Sequence, residues 1–446
     1  MNALKQQLAQ ANVLVVGCGI SGVSAARFAV ACGARVRVVD SRMEPPHADT
    51  LAETCPQASL VVGGFDPAVL DGMGHIVVSP GVDLREPLIE AAQSRGFPII
   101  GDIEWFARVA DAPVVAITGS NGKSTVTAWL AELAREAGLH VGVGGNFGTP
   151  ALDLLGAGVD LYVLELSSFQ LELTQSLAAR AATVLNISPD HIDRHGDIGH
   201  YAELKARIFA DAQVGIINAD DERVAAMDTR DARVARFGSS ADCEYRLLET
   251  SEHVVLARGE QPWLACDTLR LTGRHNYLNA CAVWAMAEAI GLDEQAIRTG
   301  LQAFAGLPHR CQTVAEIDGI TWVNDSKGTN LGALMASLGG MRAPVVLLAG
   351  GQAKGADFTP LGALAANRAR AVIVFGQDAE VIAAAVAGHA PVHRVDDLRA
   401  SVTEAADLAR PGDTVLLSPG CASLDQFADY TERGDVFVAA VRELAA

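Results

Sequence analysis

Val114-Val-Ala-Ile-Thr118 is an unbroken apolar, β-branched run, and Gly119-Ser-Asn-Gly-Lys123-Ser124-Thr125 follows it directly. The run predicts a buried strand, and the spacing of Trp129, Leu130, Leu133 and Ala134 predicts a helix beyond the glycines. Strand, glycine turn and helix in that order make a phosphate cradle. Backbone N–H groups of Gly119, Ser120, Asn121 and Gly122 face anionic oxygens, the helix N-terminus adds partial positive charge, and Lys123 adds a mobile point charge. Ser124 is placed to ligate Mg²⁺. The loop departs from the full G-x-x-x-x-G-K-[ST] pattern, because Ile117 stands at its first glycine.

A chain of 446 residues points to three domains of about 150 residues each. Its net charge of −19 disfavours nucleic acid and membrane surfaces as partners. Eight cysteines are scattered with no C-x-x-C pair, so neither a zinc site nor a disulfide framework is signalled. No signal peptide is visible, and no apolar run approaches the ~20 residues that span a bilayer. A soluble, cytoplasmic, monomeric protein is expected. Of 34 basic residues only five are lysines, namely Lys5, Lys123, Lys205, Lys327 and Lys354. Arginine serves as the generic cation here, so a retained lysine suggests a compact charge or a reactive amine. Lys5 is read as chance retention.

The pattern predicts an α/β protein of three domains: a Rossmann-like domain over 1–111, a phosphate-loop ATPase-like domain over 112–306 and a second Rossmann-like domain over 307–446. Strands are expected at Val13–Val16, Val36–Val39, Ile76–Val78 and Pro98–Ile100 in the first. Asp111-Ala-Pro113 and Gly306-Leu-Pro308 mark the boundaries.

Gly17-Cys-Gly19-Ile-Ser-Gly22 lies between a strand and a helix, and Asp40 ends the next strand, where it can meet a ribose or another ligand group. Ser79-Pro-Gly81 ends a later strand. Leu161-Tyr-Val-Leu-Glu165 ends in a carboxylate, as strands that hold a nucleotide's Mg²⁺ do. Asn186 to Asp193 sets His191 among carboxylates, which suits a metal or a proton. Lys205 borders an amphipathic face made by Tyr201, Leu204 and Ile208. In the last domain four loops carry cations and hydroxyls near strand ends: 306–310, 324–330, 350–357 and 418–427. Such loops suit capture of a carboxylate.

Taken together, the loops resemble those of the Mur ligases, which add amino acids to a UDP-linked peptidoglycan precursor in the bacterial cytoplasm. The third-domain loops look like those of the family's D-glutamate-adding branch. The resemblance implies ATP and Mg²⁺ as cofactors, and UDP-N-acetylmuramoyl-L-alanine and D-glutamate as substrates. It implies that Ile20, Ser21, Asp40, Ser41, Arg42, Ser79 and Gly81 hold the UDP, with Asn146 touching the acceptor. It gives ATP to residues 119–125 with Asn279, Arg310 and Asp325. It gives Mg²⁺ to Ser124, Glu165, His191 and a carbamylated Lys205, and D-glutamate to Lys327, Thr329, Lys354, Ser423, Leu424 and Tyr430. Lys123, His191, Lys205 and Lys327 are the catalytic set. Tyr430 stands where the family carries Phe. Gly328 and Gly420 stand where it carries alanine, a change expected to loosen those loops.

Two other classes compete at this point. An NAD-dependent oxidoreductase accounts for Gly17–Gly22 and Asp40 but leaves Lys123 and Glu165 idle. A phosphate-loop switch protein accounts for Lys123, yet no [NT]-K-x-D guanine-reading motif is present.

Overall fold

The structure is a computed structural model that describes residues 3–156, 158–250, 253–341 and 344–444. The chain forms two compact units: Met1–Thr250 with Val255–Leu264 and Ala280–Leu301, and Ser251–Val254 with Ala265–Asn279 and Gln302–Ala446.

The first unit contains two sheets. One has four parallel strands in the order Ser59–Val62, Arg35–Asp40, Asn12–Val16, His75–Val78. Val13–Val16 is wholly buried, as a central parallel strand covered on both faces must be. Helix Ile20–Ala31 packs on it through Gly22, where a Cβ would fall 1.9 Å from the Gly17 carbonyl oxygen, so only glycine permits this approach. The edge strand Ser59–Val62 is mostly exposed and carries little hydrophobic signal. Pro98–Ile100 is not a strand. Pro98 has no N–H to give, and the segment offers the Ile100 carbonyl to the Val78 N–H at 2.9 Å.

The second sheet has nine strands, with Val114–Thr118 between Leu161–Glu165 and Ala181–Val184. Successive loops therefore leave on opposite sides of Val114–Thr118, which creates a crevice at the strands' carboxyl ends. The expected boundary at Asp111 is bridged by a common apolar core. Phe106 of helix Asp102–Val109 meets Tyr162 edge to face at 5.0 Å, and the Tyr162 hydroxyl donates to Asp111 at 2.8 Å.

The second unit holds a six-stranded sheet in the order Gln312–Ile317, Ile320–Asn324, Thr414–Gly420, Val345–Gly350, Ala369–Phe375, Val392–Arg394. All neighbours are parallel except the first pair. Apolar clusters cover both faces. The loops after Asn324, Gly350 and Gly420 belong to three adjacent strands, so they emerge side by side.

Asp102 opens helix Asp102–Val109 at 2 % exposure. No hydrogen bond of good geometry reaches its oxygens, whose polar neighbours are the Ser21 hydroxyl and first-turn amides. Burial pushes the carboxyl up to about 6. A raised acid favours folding while protonated, so its contribution is intact below about pH 4 and is lost as pH rises through 6. Above pH 6 the cost is up to about 3 kcal/mol. Asp102→Asn is expected to raise the thermal midpoint at pH 7.5 and to leave it unraised at pH 4, measured by melts across that range.

Candidate functional site

The glycine turn is shaped as the sequence suggests. Gly122 caps helix Lys123–Glu136 in the left-handed region, at φ 82°. Asn186 clamps the turn: its side chain accepts from the Asn121 N–H at 2.8 Å and donates to the Asn121 carbonyl at 3.0 Å. The Ser120 N–H reaches the Asn186 carbonyl at 2.9 Å. Lys123 Nζ donates to the Gly119 and Ser120 carbonyls, both at 2.9 Å. The amine thus lies across the turn it is meant to serve. Ser124 and Thr125 are buried in the first helical turn.

Glu165 is 2 % exposed and held by two neutral donors. Ser124 Oγ donates to one oxygen, and Asn146 Nδ2 donates to the other at 2.7 Å. A buried carboxyl group beside a hydroxyl gives the oxygen ligands that a hard divalent cation prefers, so Ser124 and Glu165 fit Mg²⁺.

Lys205 is 1 % exposed and donates to Thr118 Oγ1 at 3.1 Å. Its ammonium lies 4.7 Å from the centroid of the Tyr201 ring. Burial, helped by the like charge of Lys123, holds its pKa well below the ordinary lysine value, against the pull of Asp190 and Glu165. The amphipathic stripe faces inward here, so Lys205 sits inside rather than at a solvent border.

His191 takes a left-handed backbone, φ 53°, with its ring half-exposed. The ring meets Phe169 edge-on at 5.1 Å and lies 3.8 Å from an Asp190 oxygen. Among the described residues no three His, Cys, Asp or Glu side chains form a ready metal set.

The sequence reading missed His195. It is buried, stacks on Phe169 at 4.9 Å and pairs with Ser168 Oγ at 3.0 Å, and burial lowers its pKa to about 4. Tyr201, read only as a helix face, places its hydroxyl 3.1 Å from Ser120 Oγ. The lone-residue pattern of neither one signals a site.

Ile20, Ser21, Asp40, Ser41, Arg42, Ser79, Gly81 and Asn146 all line one cavity of about 560 Å³. Gln170, the last residue of the Glu165-Leu-Ser-Ser-Phe-Gln170 run, lines it too, as do Phe65, Asp83 and Glu86, which no motif singles out. Asp40, expected to meet a ribose or another ligand group, lines the cavity and is also bonded within its own loop. Its two oxygens accept from the Cys18 and Arg42 amides and from both ends of the Arg42 fork, at 2.7–2.9 Å. Those bonds draw its pKa down to about 2 against the effect of burial. Asp40 therefore fixes Arg42, which is the exposed cation at the cavity. Ser79 Oγ likewise donates inward, to the Gly17 carbonyl at 2.9 Å.

In the second unit Lys327 Nζ lies 3.9 Å from the centre of the Tyr430 ring, and Thr329 follows two residues on. Lys354 is exposed with a left-handed backbone, φ 50°. Ser423 is buried and Leu424 exposed. Asp325 is turned inward. One oxygen accepts from Ser337 and Ser418 hydroxyls at 2.7 and 2.8 Å, and burial raises its pKa. Its carboxylate is thus braced by hydroxyls of its own unit. Asn279 is buried, and Arg310 is half-buried near Asp325. Gly328 and Gly420 do not loosen their loops. A Cβ at Gly328 would come 2.7 Å from Asp325 Oδ2, and the Gly420 N–H donates to the Gly328 carbonyl at 2.8 Å.

Three family models match in succession: a Mur ligase MurD-like N-terminal domain at 11–101, a Mur ligase middle domain at 117–287 and a Mur ligase glutamate ligase domain at 309–421. The UDP-N-acetylmuramoylalanine–D-glutamate ligase of Nitrosococcus oceani is 50% identical over 99% of this chain and 98% of its own. The chain belongs to the Mur ligase family. This Mur ligase also shares its fold with UDP-N-acetylmuramate-alanine ligase from Thermotoga maritima, at a TM-score of 0.61 and 18% identity over 97% of this chain and 100% of that one. E. coli FolC in complex with ADP matches at a TM-score of 0.57 and 20% identity, over 75% and 90%. The protein is a ligase. The middle-domain match carries the phosphate loop, Glu165, His191 and Lys205, whereas Ser423, Leu424 and Tyr430 lie past the last matched residue of the third.

A lysine whose folded pKa lies below its unfolded value binds fewer protons in the native state than in the unfolded one. Stability then rises with pH between those two values. In CO₂-free buffer Lys205→Met is expected to melt above the parent at pH 7, with the margin closing as pH approaches 10.

Proposed function

We propose that this Mur ligase joins D-glutamate to the carboxyl group of UDP-N-acetylmuramoyl-L-alanine and cleaves ATP to ADP and phosphate. The observation that carries this reading is Asn146. It lines the large cavity and also donates to Glu165, which is bonded in turn to Ser124 beside the phosphate loop. A ligand filling the cavity from Arg42 toward Asn146 ends its reach where a nucleotide's terminal phosphate belongs. The name of the Nitrosococcus oceani relative supports the choice of substrates.

A carboxylate does not form an amide at pH 7, because its oxygen is a poor leaving group. In the proposed sequence the acceptor carboxylate attacks the γ-phosphorus, giving an acyl phosphate and ADP. The amine of D-glutamate, having lost a proton, adds to the carbonyl. The tetrahedral species collapses to amide and inorganic phosphate. Lys123 leaves the turn carbonyls to meet the phosphate oxygens and offsets their growing charge. Ser124 and Glu165 hold Mg²⁺, which supplies further charge neutralisation when bound. The glycine turn and the first turn of helix Lys123–Glu136 orient the nucleotide, and the family resemblance gives Asn279, Arg310 and Asp325 to it as well. Lys327, Thr329, Lys354, Ser423, Leu424 and Tyr430 hold D-glutamate.

Lys205 is read as carbamylated, and with His191 as holding a second Mg²⁺. Carbamate formation needs a neutral amine, which burial supplies here. The setting proposed is the cytoplasm and the state a monomer. Among the described residues no helix is long and apolar enough to cross a membrane.

The test is ADP release with ATP, Mg²⁺ and the acceptor, as the added amino acid is varied. D-Glutamate is expected to drive release and amide formation together. Equal release without either co-substrate, or a preference for L-alanine or diaminopimelate, overturns the reading. Lys205→Ala is expected to lose about 10–100-fold or more in kcat and to recover in part with short-chain carboxylic acids. A folded, ATP-binding variant that no acid restores removes the carbamate from the scheme.

A further inference from the structure

Arg433 is 0 % exposed, the only arginine so deeply buried among the described residues. It belongs to the first turns of helix Tyr430–Leu444. Its guanidinium makes three hydrogen bonds: Nε to Ser326 Oγ at 3.0 Å, Nη2 to the Ser326 carbonyl at 2.7 Å and Nη1 to the Cys421 carbonyl at 3.1 Å. All three acceptors are neutral, and no carboxylate of the described residues lies within ion-pair distance. A buried cation normally takes a carboxylate partner, because desolvating it alone is costly. Burial accordingly lowers its pKa to about 10, which still leaves it charged at neutral pH.

The partners explain the placement. Ser326 precedes Lys327 and lies in the loop that carries Thr329. Cys421 lies in the loop that carries Ser423 and Leu424. Ser326 Oγ passes the contact on, donating to the Tyr430 carbonyl at 2.8 Å. One planar fork thus ties both loops and the helix start that presents Tyr430 to Lys327. The helix is set from the other side as well. Asn324 Nδ2 donates to the Gly434 carbonyl at 3.0 Å, and a Cβ at Gly434 would fall 2.1 Å from the His309 ring.

We propose that Arg433 is a positioning residue for the dicarboxylate site: its fork sets the spacing of the Lys327 and Ser423 loops, and its uncompensated charge adds to the attraction for an anionic amino acid. The proposal rests on reading those loops as the D-glutamate site. Lys327 and Lys354 act directly there, whereas Arg433 acts through the backbone of Ser326 and Cys421. Asp325 and Asp425 temper its charge without pairing with it.

The test is steady-state kinetics on the full-length enzyme, varying each substrate separately, with thermal midpoints recorded alongside. Arg433→Met keeps volume and removes both charge and fork. It is expected to raise the KM for D-glutamate about 10–100-fold while KM for ATP and for the acceptor stay within about 3-fold. Arg433→Lys keeps charge without the planar fork and is expected to fall between parent and Arg433→Met. A folded Arg433→Met with unchanged KM for D-glutamate, or with all three KM values rising together, overturns the proposal. Where Arg433→Met does not fold, Arg433→Lys decides alone: a selective rise for D-glutamate supports the role, and parent-like kinetics overturns it. Lys354→Ala and Ser423→Ala separate the two layers. If neither moves the KM for D-glutamate, the reading of the site has failed; if they move it and the Arg433 variants do not, only the proposal has.

Discussion

Parallel pairing of Val114–Thr118 with a strand on each side is the constraint from which the first unit's chemistry follows. Parallel strands align their carboxyl ends, and a chain that turns both ways from one strand leaves a crevice there. The phosphate turn, Glu165 and the Asn186 loop each lie at the carboxyl end of one of those three strands. They meet because of the sheet, before any side chain contributes. The side chains then fasten what the backbone has gathered: Asn186 to the turn, Ser124 to Glu165, and Asn146 from Glu165 outward to the cavity. The second unit repeats the principle with Ile320–Asn324, Thr414–Gly420 and Val345–Gly350.

Much of this was legible in the sequence because strand-loop-helix punctuation is local. Glycine turns after apolar runs identify the loops, and loops after adjacent parallel strands are neighbours. Seven of the eight residues that the family resemblance assigns to the acceptor line one cavity for that reason, and Asn146 joins them from the end of a strand in the second sheet. What sequence spacing does not carry is direction within the loop. Asp40 looks like a ligand contact in a linear pattern, yet its oxygens are saturated by Arg42 and Cys18. Asp325 has the same appearance, and one of its oxygens accepts from Ser337 and Ser418. Arg42 is a near neighbour of Asp40, but Cys18, Ser337 and Ser418 lie 22, 12 and 93 residues from the carboxylates they reach, beyond any short window.

Buried charge was the least legible feature. Arg433 stands among Thr431, Glu432 and Asp435, a run that reads as a solvated helix face. Asp102 looks like a helix-start acid, and His195 like one of several polar residues in a loop. Lys205 was noticed through the scarcity of lysine here together with the family resemblance. The four are treated differently by the fold. Lys205 and His195 are held toward neutrality, Asp102 is made reluctant to ionise, and Arg433 keeps its proton amid backbone oxygens. Each outcome depends on which neighbours tertiary packing supplies, and propensity is silent about that.

The adjacency of Arg433 and Gly434 constrains how this stretch of chain can change. The arginine must enter the interior where the following residue presents bare backbone to an imidazole. Replacing the glycine would lift the helix and drag the guanidinium away from its oxygens; replacing the arginine would leave the close approach held by Asn324 alone. The two positions therefore form a dipeptide that drift must preserve or exchange as one.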